Sequence, residues 1–137
     1  ESANQETINR IQKGQHCDKV VENLRAMSEA GLEPHGTFMS TYSWETWEDE
    51  RRTIDLCHFL LKKGYLKTAQ ASVYSPPRTA PDPDSIGHRR IPLYFDVYKS
   101  PEFLWRKLSD IKKWEDVTYL ARGARLVIEE KLRKAHA

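Results

Sequence analysis

Small hydroxyl and aromatic side chains follow a short apolar run in this sequence, in the stretch STYSWET at residues 40–46. A second apolar run ends in a similar way, in the stretch YSPPRTAP at residues 74–81. In proteins with parallel strands, ligands bind beyond the carboxyl ends of the strands, where such loops gather. Turns that only connect a strand to a helix carry the same residue types. The sequence therefore leaves a polar ligand site and a simple connection both open.

A third polar segment stands before the first predicted helix and contains Glu1, Ser2 and Asn4. If a strand preceded these residues, they would lie at the same edge of the sheet as the two turns. Three polar loops would then converge on one rim, as they do in barrel enzymes. We therefore treat the three loops as one candidate site.

The cysteines and histidines offer no pattern typical of a metal site. Cys17 and Cys57 lie far apart in the sequence, without a CxxC motif, and the histidines are scattered. A disulfide between the two cysteines stays open, but two buried free thiols are the interpretation we favour. We therefore predict no metal bound by this chain.

The charge and the apolar runs of the sequence limit the kinds of molecule that this chain is expected to bind. The chain has 137 residues and a net charge of +2, from 22 basic and 20 acidic residues. A net charge so close to zero does not indicate a nucleic-acid partner. No apolar run approaches the roughly 18 residues of a membrane span, and no signal peptide is visible. We expect a cytoplasmic protein that is the trailing part of a longer polypeptide. The basic run at residues 88–90 could hold a carboxylate or phosphate of a substrate, or lie in a solvated loop.

Apolar spacing and turn residues predict alternating helices and strands. A capping box at Thr46 and Asp49 marks the start of the central helix, and Gly64 marks its end. This order predicts an α/β fold with parallel strands, in two parts at residues 1–93 and 94–137. The predicted elements are helices at 4–14 and 17–31, a strand at 34–39, a helix at 46–64, a strand at 66–74, a loop at 75–92, and helices at 100–111 and 114–137.

Four stretches taken together resemble radical S-adenosylmethionine (SAM) enzymes: ESANQETINRIQKG, AGLEPHGTFMSTYSWET, TIDLCHFLLKKG and TAQASVYSPPRTAP. The most similar group is the cobalamin-binding type, which includes anaerobic magnesium-protoporphyrin ester cyclases, methyltransferases and Fe–S oxidoreductases. In that group three of the stretches commonly read E-S-x-N-Q-x-T-L-x-x-I-N-K-G, h-G-x-F-M-x-G-Y-P-W-E-T and P-Y-P-G-T-P-L. Their order and spacing match over residues 1–81. The chain departs from these patterns at Thr41, Ser43 and Arg78, where the group has Gly, Pro and Gly.

The resemblance implies the C-terminal portion of a partial (β/α)6 TIM-like barrel, with about two parallel strands and a helical tail. It also implies contacts with SAM. The ribose and methionine ends would meet Glu1, Ser2, Asn4 or Gln5, with Lys13 a candidate for the carboxylate. The adenine would pack on Gly36, Phe38, Met39 and Thr41. The end of the last strand would offer backbone groups to the adenine edge from Val73, Ser75 and Pro76.

The resemblance further implies a 4Fe–4S cluster in the parent protein, with cobalamin bound upstream as an option, and a small-molecule substrate. This sequence has no CxxxCxxC motif for that cluster. The chain alone is therefore expected to be catalytically inactive and to need the N-terminal part of the same polypeptide. The alternative is a non-catalytic α/β module that binds a protein partner.

Overall fold

Helices and strands alternate along the chain, and the computed structural model describes residues 1–118, 121, 122 and 125. Residues 114–118 are helical, and the rest of the helix predicted over 114–137 lies almost entirely outside the described residues. The elements, in chain order, are α1 (Gln5–Arg10), α2 (Cys17–Glu29), β1 (His35–Ser40), α3 (Trp47–Lys63), β2 (Thr68–Val73), α4 (Ile86–Phe95), a 3-10 helix (Asp96–Lys99) and α5 (Pro101–Ser109).

The two strands form a parallel sheet, and α3 connects them. The register runs from His35 opposite Thr68 to Ser40 opposite Val73. One face of this sheet packs on the helices, where Phe38 is buried and Ala71 contacts the core. Thr37 and Gln70 lie on the opposite face and are exposed. The class is therefore α/β with parallel strands, as the alternation predicted.

The core lies between the sheet and helices α3 and α4. The predicted stripe of α3 is buried, and Tyr94, Val97 and Phe103 complete the same cluster from the later helices. Burial raises the pKa of the Cys57 thiol to about 12. Both cysteines are free, with Cys57 buried and Cys17 half-buried. The four buried residues of the α3 stripe are Ile54, Cys57, Leu60 and Leu61.

The capping box predicted at the start of α3 is confirmed. The Asp49 amide donates to the Thr46 hydroxyl, and the Thr46 amide donates to the Asp49 carboxylate at 3.0 Å. These bonds to Thr46, the backbone bond first, hold the pKa of Asp49 below its ordinary value. Because only the ionised carboxylate is favoured, stability from this group is present above about pH 4 and is lost as the pH falls through its pKa in the folded chain.

We expect Asp49→Asn to reduce the loss of stability between about pH 5 and pH 2, because the substitution removes the titrating group. Asp55→Asn is the matched control, since Asp55 lies on the same helix and accepts from the exposed Arg51. Urea unfolding followed by circular dichroism across this pH range makes the comparison. An unchanged pH slope in Asp49→Asn would contradict the assignment.

Helix α4 corrects the prediction of a loop over residues 75–92. The second half of that segment is helical from Ile86, and its N-cap is Ser85, whose side chain accepts from the His88 amide. Pro92 lies inside the helix, and proline normally ends one, since it lacks an N–H and clashes with the preceding turn. Packing of Tyr94, which is fully buried, outweighs that cost. Residues 88–90 therefore lie in a helix and not in the loop that the sequence predicted.

The chain divides into two compact units, residues 1–103 and residues 104–137. The sequence placed this division ten residues earlier, between 93 and 94. Tyr94, Val97 and Phe103 all belong to the core of the first unit. Among the described residues, no helix is long and apolar enough to cross a membrane.

Candidate functional site

The carboxylate of Glu45 joins the start of the chain to the turn after β1. Its Oε1 atom accepts from the Ser2 hydroxyl at 2.6 Å and from the Thr7 hydroxyl at 2.6 Å. Trp44 Nε1 donates to the same Thr7 hydroxyl at 3.0 Å. Hydrogen bonds to an ionised acceptor are stronger than those between neutral groups. The pair Trp44–Glu45 therefore clamps the segment that precedes α1.

Aromatic rings join the turn after β1 to the turn after β2. Tyr42 stacks on Trp44 at 5.1 Å between ring centroids and lies 4.7 Å from the ring of Tyr74. The guanidinium of Arg10, at the end of α1, lies 5.4 Å from the centroid of Trp44. Such contacts each add about 0.5–1.5 kcal/mol beyond the area that they bury. The three polar loops meet at the carboxyl edge of the sheet, as predicted.

Several polar atoms are buried near this edge without a hydrogen-bond partner in the described residues. They are Ser40 Oγ, Glu45 Oε2, Glu50 Oε1 and Tyr94 Oη. Burial, and after it the charge of Glu50, raises the pKa of the Tyr94 hydroxyl. Burial also raises the pKa of the Tyr42 hydroxyl, with Glu1 and Glu45 adding to the effect. Both phenols therefore stay protonated at neutral pH and can only donate or accept hydrogen bonds as neutral groups.

The predicted ligand residues at the start of the chain already have protein partners. Lys13 Nζ pairs with the Glu1 carboxylate at 2.8 Å. Asn4 caps α1 by accepting from the Glu6 amide at 3.0 Å. The Gln5 side chain donates to the Gln15 carbonyl and accepts from the Cys17 amide, which fixes the turn between α1 and α2. These contacts position the segment, and Ser2 does so through Glu45.

The predicted adenine residues divide between the two faces of the sheet. Phe38 is 6% exposed and packs in the core on the helix side, where its ring lies 6.0 Å from that of Tyr94. A Cβ atom on Gly36 would lie 2.6 Å from Leu66, on the same side. Met39 is half-buried on the opposite face, where Ser72 is its neighbour in the register. Of the three, only Met39 is placed on the face that the helices leave uncovered.

The remaining predicted residues lie in or beside the two turns. Thr41 has a φ of 64° and Arg78 a φ of 71°, so both adopt the left-handed conformation. Thr41 and Val73 both border Gly87 at the start of α4. The Ser75 hydroxyl donates to the Thr79 carbonyl, and the Pro76 carbonyl accepts from the Thr79 amide at 3.0 Å. The second turn is thus closed by its own residues.

A groove of about 610 Å³ brings together five of the predicted residues. Residues of β1 and α2 line it, together with Leu60 of α3 and Leu66. The other seven predicted residues do not line it: Asn4, Gln5, Met39, Thr41, Val73, Ser75 and Pro76. The five predicted residues in the groove are Glu1, Ser2, Lys13, Gly36 and Phe38.

Metal chemistry finds no support within the part of the chain that the structure describes. No group of three or more histidine, cysteine or acidic residues is arranged to hold a metal ion there. Burial raises the pKa of both thiols, so neither favours the thiolate that binds iron. The residues described here therefore do not fit a 4Fe–4S cluster.

Sequence reasoning missed Thr7, Glu45 and Glu50 as parts of this edge, and it considered Arg90 only as part of the basic run at residues 88–90. Arg90 donates to the buried Glu50 carboxylate and lies 4.5 Å from the ring centroid of Trp47. Glu45 lies 43 residues from Ser2 in the chain. A signal did exist for Glu45, because it stands in the W-E-T part of the resemblance pattern.

Comparison with protein-family models, curated proteins and solved structures finds no match to this chain.

Proposed function

We propose that this chain is the C-terminal part of a radical SAM iron–sulfur enzyme of the cobalamin-binding type, holding the last strands of a partial (β/α)6 barrel. In the parent protein, the reaction would be reductive cleavage of SAM, with cobalamin-linked methylation or oxidoreduction as the outcome. Because the cluster motif is absent from this sequence, the chain alone would be inactive and would act together with the N-terminal part of the polypeptide.

One observation carries the proposal: the backbone is left-handed where the family pattern expects residues that tolerate it. Among the described residues other than glycine, positive φ angles occur at Gln12, Thr41 and Arg78. The pattern has Asn, Gly and Gly at these three positions. Glycine and asparagine adopt this conformation most readily. The left-handed backbone at these three positions is what the pattern's residues would favour, and this agreement supports the proposal.

A second observation supports it: side chains from separate pattern stretches contact one another. Ser2 and Thr7 come from the first stretch, and both donate to Glu45 of the second. Tyr42 of the second stretch packs on Tyr74 of the last stretch, TAQASVYSPPRTAP. These contacts agree with the proposal, because neighbouring loops at one barrel rim would meet in this way.

The residues that suit SAM best lie on the uncovered face of the sheet. Met39 lies there, with its sulfur accepting from the Tyr42 hydroxyl at 3.3 Å, and Ser72 is its register partner on β2. An apolar surface beside a few polar groups is what a purine ring requires. Phe38 lies on the opposite face, in the core, so it would stabilise the strand that carries Met39 and would not contact the adenine ring. In the parent protein, SAM supplies the group that is cleaved, and these residues would hold its adenine.

Titration of the purified chain with SAM, followed by backbone amide NMR shifts, tests the proposal. We expect weak, saturable shifts in residues 37–41 and 72–76, with adenosine giving the same shifts. Met39→Asp should abolish them, because it places a charge on the adenine surface. Thr68→Asp is the matched control, since Thr68 lies on the same face at the other end of β2. Absence of shifts at millimolar SAM, or equal loss in both variants, would contradict the proposal.

A further inference from the structure

One side of helix α5 is apolar and exposed. Leu104 and Leu108 lie one turn apart, and Trp105 lies beside them, so the three side chains share this side of the helix. They are 49%, 60% and 73% exposed, respectively. Phe103 falls on the other side of the helix and is buried in the core. Helix α5 therefore carries a second apolar face, made of Leu104, Trp105 and Leu108, which we call the Trp105 face.

The chain continues from α5 into a second exposed tryptophan. The Asp116 carboxylate accepts from the backbone amides of Lys112 and Lys113 at 3.0 Å each, and the next helical segment begins at Trp114. Trp114 is 75% exposed, and both lysines are exposed as well. Two leucines, two tryptophans and a pair of lysines are thus exposed between residues 104 and 114.

Exposed large apolar side chains that adjoin one another mark an interaction surface more often than single ones do. In the first compact unit, the exposed large apolar side chains of the described residues are spread over several elements, among them Leu32, Phe59 and Ile86. The Trp105 face differs from these because its members are neighbours on one helix. The chemistry of the charges around it indicates what kind of partner would cover it.

The basic residues of the sequence are concentrated in the second compact unit. Residues 104–137 contain nine basic and five acidic residues, a net charge of +4, whereas residues 1–103 contain thirteen and fifteen, a net charge of −2. Within the described part, Arg106 pairs with Asp110 at 3.2 Å, whereas Lys112 and Lys113 are exposed beside Trp114. The Trp105 face therefore belongs to the positively charged unit of the chain, and its partner should be anionic.

A lipid surface fits this combination better than a protein or a nucleic acid. Tryptophan favours the level of the headgroups, leucine enters the boundary of the acyl chains, and lysine meets the phosphates. The centre of a protein interface is depleted of lysine. A nucleic acid would contact the lysines and stack on the tryptophans but would gain little from the leucines.

We propose that the Trp105 face, together with Trp114 and the pair Lys112 and Lys113, binds the surface of a membrane that contains anionic lipids. The helix would lie in the plane of the interface, with its leucines and tryptophans inserted and the lysines at the headgroups. This inference goes beyond the proposed function and does not depend on SAM binding.

Co-sedimentation of the purified chain with vesicles tests the proposal. One set of vesicles contains three parts phosphatidylcholine and one part phosphatidylglycerol, and the other contains phosphatidylcholine alone. We expect binding to the anionic set that weakens at least tenfold in Trp105→Ser with Leu108→Ser, because these two side chains supply the insertion. Lys112→Gln with Lys113→Gln should weaken it at least tenfold as well, because the attraction to the headgroups is lost.

Leu32→Ser with Ile86→Ser is the matched control, because these side chains are 56% and 59% exposed and lie in the first unit. It should bind the anionic vesicles as the unmodified chain does. All three double variants should unfold at the temperature of the unmodified chain when followed by circular dichroism, since the substituted side chains are exposed.

Three results would overturn the proposal: no binding to the anionic vesicles, equal binding to the neutral ones, or an equal loss in the control variant. Sedimentation velocity without vesicles tests the other occupant. A dimer that Trp105→Ser with Leu108→Ser abolishes would also overturn the proposal, because the face would then bind a second copy of the chain. A failed SAM titration would leave these comparisons unaffected.

Discussion

Replacing Arg90 with alanine is expected to lower the free energy of unfolding by about 3 kcal/mol, because it leaves a buried anion without its cation. Arg90 donates to Glu50, whose side chain is 3% exposed. The other carboxylate oxygen of Glu50 is buried without a partner, so loss of the guanidinium cannot be offset from that side. The substitution also removes the contact of the guanidinium with the ring of Trp47.

Arg89→Ala is the matched control, because Arg89 is the next residue along α4 and is exposed. Its effect should stay within about 0.5 kcal/mol. The double variant Glu50→Leu with Arg90→Leu should recover most of the loss, since apolar residues of similar volume often replace a buried ion pair without cost. Urea unfolding of the four chains provides the comparison. Equal effects of Arg89→Ala and Arg90→Ala would show that the pair does not hold α4 on α3.

Local signals in the sequence were sufficient to predict the helices and strands of the first half of the chain, through β2. The capping box at Thr46 and the stop at Gly64 both act within one helical turn, and both ends of α3 lie where they predict. The same local rules failed at α4, where Pro92 suggested a loop. Its helix depends on burial of Tyr94, which is a tertiary effect that no neighbouring residue reveals.

The sequence predicted where the candidate site lies, at the carboxyl edge of the sheet, but it did not predict which side chains contact one another there. Parallel strands bring the turns to one edge, so the meeting of Tyr42 and Tyr74 follows from topology. Which side chains are available there depends on whether odd-numbered or even-numbered residues of each strand face the core, because successive side chains point to opposite faces. Phe38 was expected to contact a ligand, but it lies at a strand position that faces the helices, so its ring is in the core. A one-residue difference in register reverses every such assignment.

Gly87→Ala is expected to cost about 2 kcal/mol, although alanine is normally the better residue within a helix by about 1 kcal/mol. The added Cβ would lie 2.5 Å from Thr41 Oγ1 and 2.7 Å from Thr41 Cγ2. It would also lie 3.0 Å from Val73. The clash joins the turn after β1 to the start of α4, so neither side can move alone. Thermal and urea unfolding measure the loss.

Thr41→Gly should remove most of that cost, because it takes away the side chain that the new Cβ meets. Alone, it should change stability by less than about 1 kcal/mol, since relief of the left-handed backbone is offset by the greater freedom of glycine when unfolded. Arg78→Gly relieves the same backbone conformation at an exposed position, so its effect should simply add to that of Gly87→Ala.

A coupling energy of 1 kcal/mol or more between positions 41 and 87, with none between 78 and 87, would show that Thr41 and Gly87 fit each other as a pair. Equal coupling at both positions would mean that backbone relief alone explains the rescue. In the first case, the left-handed Thr41 is accommodated by Gly87 elsewhere in the same chain. The side chain of Thr41 in the turn after β1 then packs against the start of α4 at Gly87.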